Sequence, residues 1–229
     1  MLKFALFALF LLSASAANPT PIPPTPAGFS RGSNTPTLHI EAYYDLLCPS
    51  SKAQWGILEP LLKEYELDSN QTLRFTVHIF PLPYHYYSFL MSQGAQVIYD
   101  KQTNAKEIFT YIDTVFENQE DYGCEAVVDK SQNTIRNSLY LQVIKRLPYA
   151  STYFLQGLTA GNAYDVSTRI QWKYGAYNKV TGTPTFFANG VEINGAAGFT
   201  RDDWKKFIDG GYVKYLGISQ NIHPYAINL

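Results

Sequence analysis

The chain has 229 residues, of which 46% are apolar and 16% are charged, and its formal net charge at pH 7 is −1. This length is enough for one sizeable core or for a core with an inserted subdomain. The sequence has no basic run or stripe, which argues against a nucleic-acid partner. With only 2 cysteines, the fold must be stabilised by its core and not by a framework of disulfides.

The first residues have the pattern of a secretory signal. Lys3 precedes the apolar residues 4–12, and Ala14 and Ala16 fit a small-x-small cleavage site. The apolar run is too short to cross a bilayer, which requires about 20 residues. We therefore predict a signal peptide over residues 1–16, no membrane anchor, and a secreted protein or one of the secretory-pathway or vacuolar lumen.

The next segments predict a leader followed by a strand–helix–strand unit. Residues 17–35 are rich in proline, which predicts an extended, mobile leader outside the core. Apolar residues alternate along residues 38–46 and again along 72–80, as in strands, and a helix over about 49–67 joins them. Such strands should be parallel. Asn70 begins an Asn-x-Thr sequon in the polar turn before the second strand and is a predicted glycosylation site.

The middle of the chain has a helical pattern and no strand signal. Apolar residues recur every four positions in two stretches, namely Ile135, Leu139 and Val143, and then Val166 and Ile170. The spacing of four is typical of one face of a helix. We therefore predict a helical insertion over about residues 88–177.

A hairpin and a last helix follow. Asn189 and Gly190 separate two short apolar runs, and this dipeptide favours a two-residue turn because both positions need positive φ. Thr200 and Asp203 have the spacing of a capping box, so a helix should begin there and bury Trp204. The predicted order of elements is βαβ, helical insertion, ββα.

Three motifs identify a family resemblance. Residues 45–52 have the sequence DLLCPSSK, residues 80–85 have FPLPYH, and residues 181–187 have TGTPTFF. In this order they resemble the DsbA-like thioredoxin-fold proteins, in the branch with an inserted helical domain and a secretory address. The resemblance implies an α/β thioredoxin-like fold with a central mixed sheet over residues 36–215, followed by a tail, 216–229.

Cys48 is the candidate nucleophile. It stands just before the first helical turn, where unpaired N–H groups and the helix dipole favour a thiolate, and the hydroxyls of Ser50 and Ser51 are candidates to donate to the sulfur. Ser51 occupies the position of the second cysteine in dithiol relatives, and serine forms no disulfide. The chemistry that remains is attack on a disulfide and formation of a mixed disulfide, which an external thiol such as glutathione releases. The alternative is an inert cysteine, retained after activity was lost.

The resemblance also implies a substrate-binding position. The Thr183–Pro184 bond would be cis, which places the backbone of Thr183 beside Cys48, where an extended substrate can pair with it. Cys124 is open to two interpretations, a distant resolving thiol or a free thiol. No metal site is predicted, because the histidines and cysteines lack the spacing of metal ligands.

The predicted function is that of a monothiol thioredoxin-like protein that exchanges thiols and disulfides through Cys48, with Ser51 as the second catalytic-motif residue. Its partners would be thiol- or disulfide-containing peptides or proteins, with glutathione as a candidate co-substrate and no resident cofactor. Nucleic acid and membrane are not expected partners. The alternative is a redox-inactive thioredoxin-fold protein that binds peptides or partners in the same groove. A glutathione-conjugating enzyme of the kappa-transferase kind fits less well, because its active-site position resembles a serine where this chain has Cys48.

Overall fold

The computed structural model describes residue 22 and residues 25–104 and 106–211. The predicted signal peptide and the tail over residues 216–229 lie outside these residues. The strands are β1 (Phe29–Gly32), β2 (Leu38–Tyr44), β3 (Leu73–Ile79), β4 (Thr185–Ala188) and β5 (Val191–Glu192). They form one mixed sheet in the order β1-β3-β2-β4-β5, which confirms the predicted thioredoxin-like α/β fold. None of the described helices is both long and apolar enough to cross a membrane.

The predicted βαβ unit is confirmed. Strands β2 and β3 are parallel along their whole length, and helix α1 (Pro49–Glu64) connects them. An N–H at the first helical position has no partner within the helix, and proline has no N–H. Pro49 is therefore well suited to start the helix directly after Cys48. The helix ends before the predicted limit, and Glu66 in the following turn has a positive φ of 49°. Trp55 and Leu58 bury the inner face of α1 against the sheet.

The first strand corrects the predicted leader. Strand β1 pairs antiparallel with β3 at the edge of the sheet, and Phe29 is fully buried in the core. Gly32 leaves the strand with a φ of 92°, and a Cβ there would lie 2.3 Å from the carbonyl oxygen of Leu73. The prediction that residues 17–35 stay outside the core is therefore wrong from Phe29 onward. The prolines end at residue 26, just before this strand.

Helices occupy the stretch of the predicted insertion. They are α2 (Ser88–Lys101), α3 (Glu107–Glu117), α4 (Cys124–Val127), α5 (Gln132–Arg146), α6 (Phe154–Gly157) and α7 (Ala163–Tyr177). Short 3-10 turns, Gln119–Tyr122 and Pro148–Thr152, lie between them. The spacing in α5 is confirmed, because Ile135, Leu139 and Val143 are all buried.

Helix α7 buries a different face from the one that its apolar residues indicate. Val166 is 49% exposed, whereas the buried residues of α7 are Asp165, Thr168, Gln171 and Gly175. Gln171 accepts the N–H of Ile79 at 3.2 Å, at the end of β3. A Cβ at Gly175 would lie 2.5 Å from the ring of Phe80. Helix α7 therefore packs on the end of β3 through the hydrogen bond of Gln171 and through the close contact of the Gly175 backbone with the Phe80 ring.

The C-terminal elements agree with the sequence. Asn189 and Gly190 have φ values of 49° and 81°, as the two-residue turn between β4 and β5 requires. Helix α8 (Arg201–Lys206) begins with the predicted capping box between Thr200 and Asp203. Trp204 is fully buried. A π-helical turn, Phe207–Gly211, follows.

Candidate functional site

The fold brings the two distant motifs together at Cys48. This residue is the N-cap of α1, with extended backbone angles (φ −81°, ψ 121°). Its thiol donates to the carbonyl oxygen of Thr183 at 3.3 Å. The Thr183–Pro184 peptide bond is cis. The Cys48 side chain is 7% exposed, so the sulfur lies at the edge of the core, beside the loop that precedes β4.

A single buried carboxylate organises the backbone around Cys48. Asp45 is fully buried at the end of β2. One of its oxygens accepts the N–H of Leu47 at 2.8 Å and the hydroxyl of Ser88. The other accepts the N–H of Leu82 at 2.8 Å and lies 2.6 Å from Nδ1 of His85. Asp45 therefore ties the active-site turn to the loop after β3 and to the start of α2.

A glutamine from the helical insertion holds the same turn from the other side. The side-chain amide of Gln119 donates to the carbonyl oxygens of Leu46 and Cys48, at 3.0 and 3.1 Å. Gln119 is buried, so these carbonyls have a partner where water does not reach them. The insertion thus holds the backbone of the turn that carries the Cys48 thiol.

Aromatic packing joins the elements that carry the two motifs. Tyr44, directly before Asp45, makes edge contacts with Trp55 of α1 and Phe186 of β4, with ring centroids 5.9 and 5.8 Å apart. Its hydroxyl is buried and has no hydrogen-bond partner within residues 25–104 and 106–211. Burial raises the pKa of Tyr44 well above its ordinary value, so this side chain is a neutral packing element at physiological pH.

Ser51 lies at the site, but not in the predicted contact. It is fully buried, and its hydroxyl has no hydrogen-bond partner among the described residues. Ser50 is exposed. The structure therefore shows no donation from the buried Ser51 hydroxyl to the sulfur, and the hydrogen bond that it does show there runs from the thiol to the Thr183 carbonyl. The hydroxyl of Thr183 also lacks a partner.

The second cysteine is not bonded to the first. Cys48 and Cys124 are both free, and the Cys124 thiol donates to the carbonyl oxygen of Tyr84 at 3.2 Å. Cys124 begins α4, a few residues after Gln119. Among the residues that the structure describes, no group of His, Cys, Asp or Glu side chains is arranged to hold a metal ion.

The predicted glycosylation site lies away from Cys48, in the turn before β3. The Asn70 amide nitrogen donates to the carbonyl oxygen of Tyr65 at 3.0 Å. Its oxygen accepts the N–H groups of Thr72 and Leu73, at 2.9 and 3.0 Å. Glycosylation of Asn70 stays a prediction.

Sequence reasoning missed two of the residues that hold the site. Gln119 gives no signal, because a glutamine between two helices has no local pattern that points to a distant turn. Asp45 is visible in its motif, but its role as a common acceptor depends on Leu82, His85 and Ser88. The proximity of these residues follows only from the fold.

The comparisons with known proteins agree with this architecture. A family model described as Thioredoxin matches residues 25–210. The crystal structure of alpha-DsbA1 from Wolbachia pipientis is 17% identical with a TM-score of 0.64, and the match covers 85% of this chain and 95% of that one. DsbA from Chlamydia trachomatis is 15% identical with a TM-score of 0.62, covering 86% and 98%. Oxidised BdbD from Bacillus subtilis is 15% identical with a TM-score of 0.60, covering 80% and 91%.

The chain belongs to the thioredoxin family, because the family model matches most of its length. The solved structures show that its fold is that of the DsbA-like proteins. A search of curated proteins gives no significant match. At the level of the family, these findings support the thiol–disulfide exchange that the sequence predicts.

Proposed function

We propose that this chain is a secreted or luminal monothiol protein that performs thiol–disulfide exchange through Cys48. The observation that carries the proposal is the position of the Cys48 sulfur, at the start of α1 and 3.3 Å from the carbonyl oxygen of Thr183. The position that would supply a nearby second thiol is Ser51, and Cys124 is a separate free thiol.

The reaction has two displacements. The Cys48 thiolate attacks one sulfur of a substrate disulfide, the substrate S–S bond breaks, and the other substrate sulfur leaves as a thiolate. An external thiolate, for which glutathione is the candidate, then attacks the mixed disulfide and releases Cys48 as a thiolate. The electron pairs balance, because one disulfide is consumed and one is formed in each displacement.

Thr183 and Pro184 are the proposed substrate-binding residues. When Cys48 is in a mixed disulfide its sulfur has no hydrogen to donate, so the carbonyl of Thr183 loses that partner. An N–H of an extended substrate then takes its place, as in the addition of a strand. Thiol- or disulfide-containing peptides and proteins are the substrate class that this geometry supports.

A modification experiment tests the exchange. The mature chain, Cys48→Ser and Cys124→Ser are incubated with glutathione disulfide, and the adducts are located by mass spectrometry. The adduct should form on Cys48 in the wild type and in Cys124→Ser, and it should be lost in Cys48→Ser. An adduct on Cys124 alone, or none, would overturn the proposal.

The second candidate, a redox-inactive binding protein, is favoured by one observation, the 7% exposure of Cys48. The same experiment separates the two functions, because a binding protein forms no adduct on Cys48. Secretion is tested separately, by N-terminal sequencing of the protein from the medium of expressing eukaryotic cells. Cleavage after Ala16 is expected, and retention of residues 1–16 would contradict it.

A further inference from the structure

A groove lies between the proline-containing segment after β3 and helix α7. Its volume is about 490 Å³, and its walls include Leu82, Tyr86, Phe89, Trp172 and Lys173. We call it the Trp172 groove. Its lining does not include Cys48, Thr183 or Pro184, the residues of the proposed exchange reaction.

The groove offers aromatic surface to a ligand. Trp172 is 42% exposed and Tyr86 is 62% exposed. The ring of Trp172 is stacked on Phe80 with centroids 5.8 Å apart and an angle of 7°, so one face is covered and the ring is held in place. Rigid exposed aromatic rings bind apolar and aromatic side chains with little loss of conformational freedom.

The charge of the groove is positive. Arg169 and Lys173 line it, and the described residues of its lining include no Asp or Glu. Arg169 is already paired with Asp165 at 2.5 Å, and its guanidinium lies 5.4 Å from the ring of Phe89. Within the described part of the chain, no carboxylate forms an ion pair with Lys173. A ligand that places a carboxylate at Lys173 would therefore complement the groove.

The wall of the groove cannot pair with a ligand as a strand does. Pro81 and Pro83 have no N–H, and the N–H of Leu82 between them is bound to Asp45 at 2.8 Å. This wall therefore has no free N–H for a ligand in the segment 81–83, and the features that remain to select a ligand are the aromatic rings and the charge of Lys173. These features fit a polypeptide segment that carries acidic and apolar residues.

The groove adjoins Cys48 through the Asp45 network. His85 lines the groove, and its Nδ1 lies 2.6 Å from the Asp45 carboxylate. The backbone carbonyl of Asp45 accepts the N–H of Cys48 at 3.1 Å. These two contacts join the wall of the groove to the turn that carries Cys48, so we expect the residues next to a substrate cysteine bound at Cys48 to reach the Trp172 groove.

We propose that the Trp172 groove binds the flank of the polypeptide substrate and selects segments with acidic and apolar residues next to the reacting cysteine. The proposal rests on the exchange function proposed above. It adds a substrate preference that Cys48, Thr183 and Pro184 do not determine.

The test measures non-covalent binding to the mature Cys48→Ser protein. The probes are fluorescein-labelled peptides with a central serine in place of cysteine and a flanking phenylalanine, with either paired glutamates or paired lysines. Anisotropy should show tighter binding of the glutamate peptide. Lys173→Glu should weaken that binding about tenfold, because an attraction becomes a repulsion. Trp172→Ala should weaken the binding of both peptides.

The matched control is Lys206→Glu, which makes the same charge change on an exposed residue of α8. It should leave both affinities unchanged. A direct readout comes from acrylamide quenching, because Trp55 and Trp204 are buried and Trp172 is 42% exposed. The glutamate peptide should protect Trp172 from the quencher.

Equal affinity for the two peptides would contradict the proposed selectivity of the Trp172 groove, even if the wild type forms a mixed disulfide. So would an equal effect of Lys173→Glu and Lys206→Glu on peptide binding. If the wild type forms no mixed disulfide while Cys48→Ser still prefers the glutamate peptide, the groove does select its ligand and the proposed exchange function is wrong. Sedimentation of the peptide-free protein tests a second copy as the occupant. A dimer that Trp172→Ala dissociates would also overturn the proposal.

Discussion

The Cys48 thiol donates a hydrogen bond to the carbonyl oxygen of Thr183, although the two residues are 135 positions apart in the chain. The contact joins the start of α1 to the loop before β4, and these are the two motifs that the sequence singles out. The chain between them, which includes β3 and the helical insertion, must bring these two segments back together for the contact to form. The site is thus a product of the whole domain and not of one local segment.

Replacement of Ser51 by cysteine should convert the site to dithiol chemistry. Ser51 is fully buried and its hydroxyl has no partner to lose, so the fold should tolerate the similarly sized thiol. The new thiol should resolve mixed disulfides on Cys48, which then have shorter lifetimes by mass spectrometry, and insulin reduction should speed up. If the wild type already reduces insulin as fast as Ser51→Cys, another thiol resolves the intermediate, with Cys124 as the first to test.

Asp45→Asn should destabilise the protein by about 2–4 kcal/mol. The buried carboxylate accepts hydrogen bonds on both oxygens, and an amide replaces one acceptor with a donor that faces other donors. Urea unfolding followed by circular dichroism measures the loss. Ser88→Ala removes only one of the bonds and should cost about 1 kcal/mol. Equal effects of the two variants would contradict the central role of Asp45.

Asp68→Asn should lower stability at neutral pH and not in acid. Arg31 of β1 donates to both carboxylate oxygens of Asp68, at 2.8 and 2.6 Å. The hydrogen bond from Arg31, with help from Lys106 and against the effect of burial, holds the pKa of Asp68 below its ordinary value. A lowered pKa means that this stabilisation is present above the unfolded pKa of about 3.9 and is lost as the pH falls through the folded pKa.

The expected loss for Asp68→Asn is about 1 kcal/mol at pH 7, a small value because the Asp68 side chain is 41% exposed. Urea unfolding at about pH 7 and about pH 2 should show the difference from wild type shrink toward zero. Asp129→Asn, at an exposed position without an ion pair in the described structure, is the control. A loss that is the same at both pH values would show that the ion pair does not stabilise β1.

Replacement by alanine should lower the stability of the protein at one helical glycine and raise it at another. A Cβ at Gly94 in α2 would lie 2.2 Å from the hydroxyl oxygen of Tyr111, whereas a Cβ at Gly56 in α1 meets nothing within 4 Å. Gly94→Ala should cost about 1–3 kcal/mol through overpacking. Gly56→Ala should stabilise by about 0.5–1 kcal/mol because alanine favours the helix. Thermal unfolding of both variants checks the pair, and a stabilised Gly94→Ala would contradict the packing of α2 on α3.

The elements that sequence patterns predicted well are those whose stability is local or strongly periodic. Strands β2 and β3 alternate clearly, and the proline after Cys48 marks the start of α1. Strand β1 has one apolar anchor, Phe29, and it exists because β3 supplies its hydrogen-bond partners. The buried face of α7 is partly polar, so hydrophobic spacing pointed to Val166, which is exposed.

For the site, the motifs predicted that Cys48 and Thr183 would lie together, but not what holds them. The Asp45 network depends on side chains from the loop after β3 and from α2. Gln119, whose amide binds the carbonyls of Leu46 and Cys48, comes from a short turn in the insertion. Neither arrangement has a sequence spacing that could be recognised, because each partner comes from a different element.

The long separation of β2 and β4 also has a consequence during synthesis. Ile40 pairs with Ala188 across the sheet, so the ribosome must make the whole helical insertion before β2 acquires this neighbour. Over the 135 positions between Cys48 and Thr183, elongation takes roughly seven to twenty-seven seconds. Until Thr183 has been added, the Cys48 thiol lacks the carbonyl that it contacts in the folded protein.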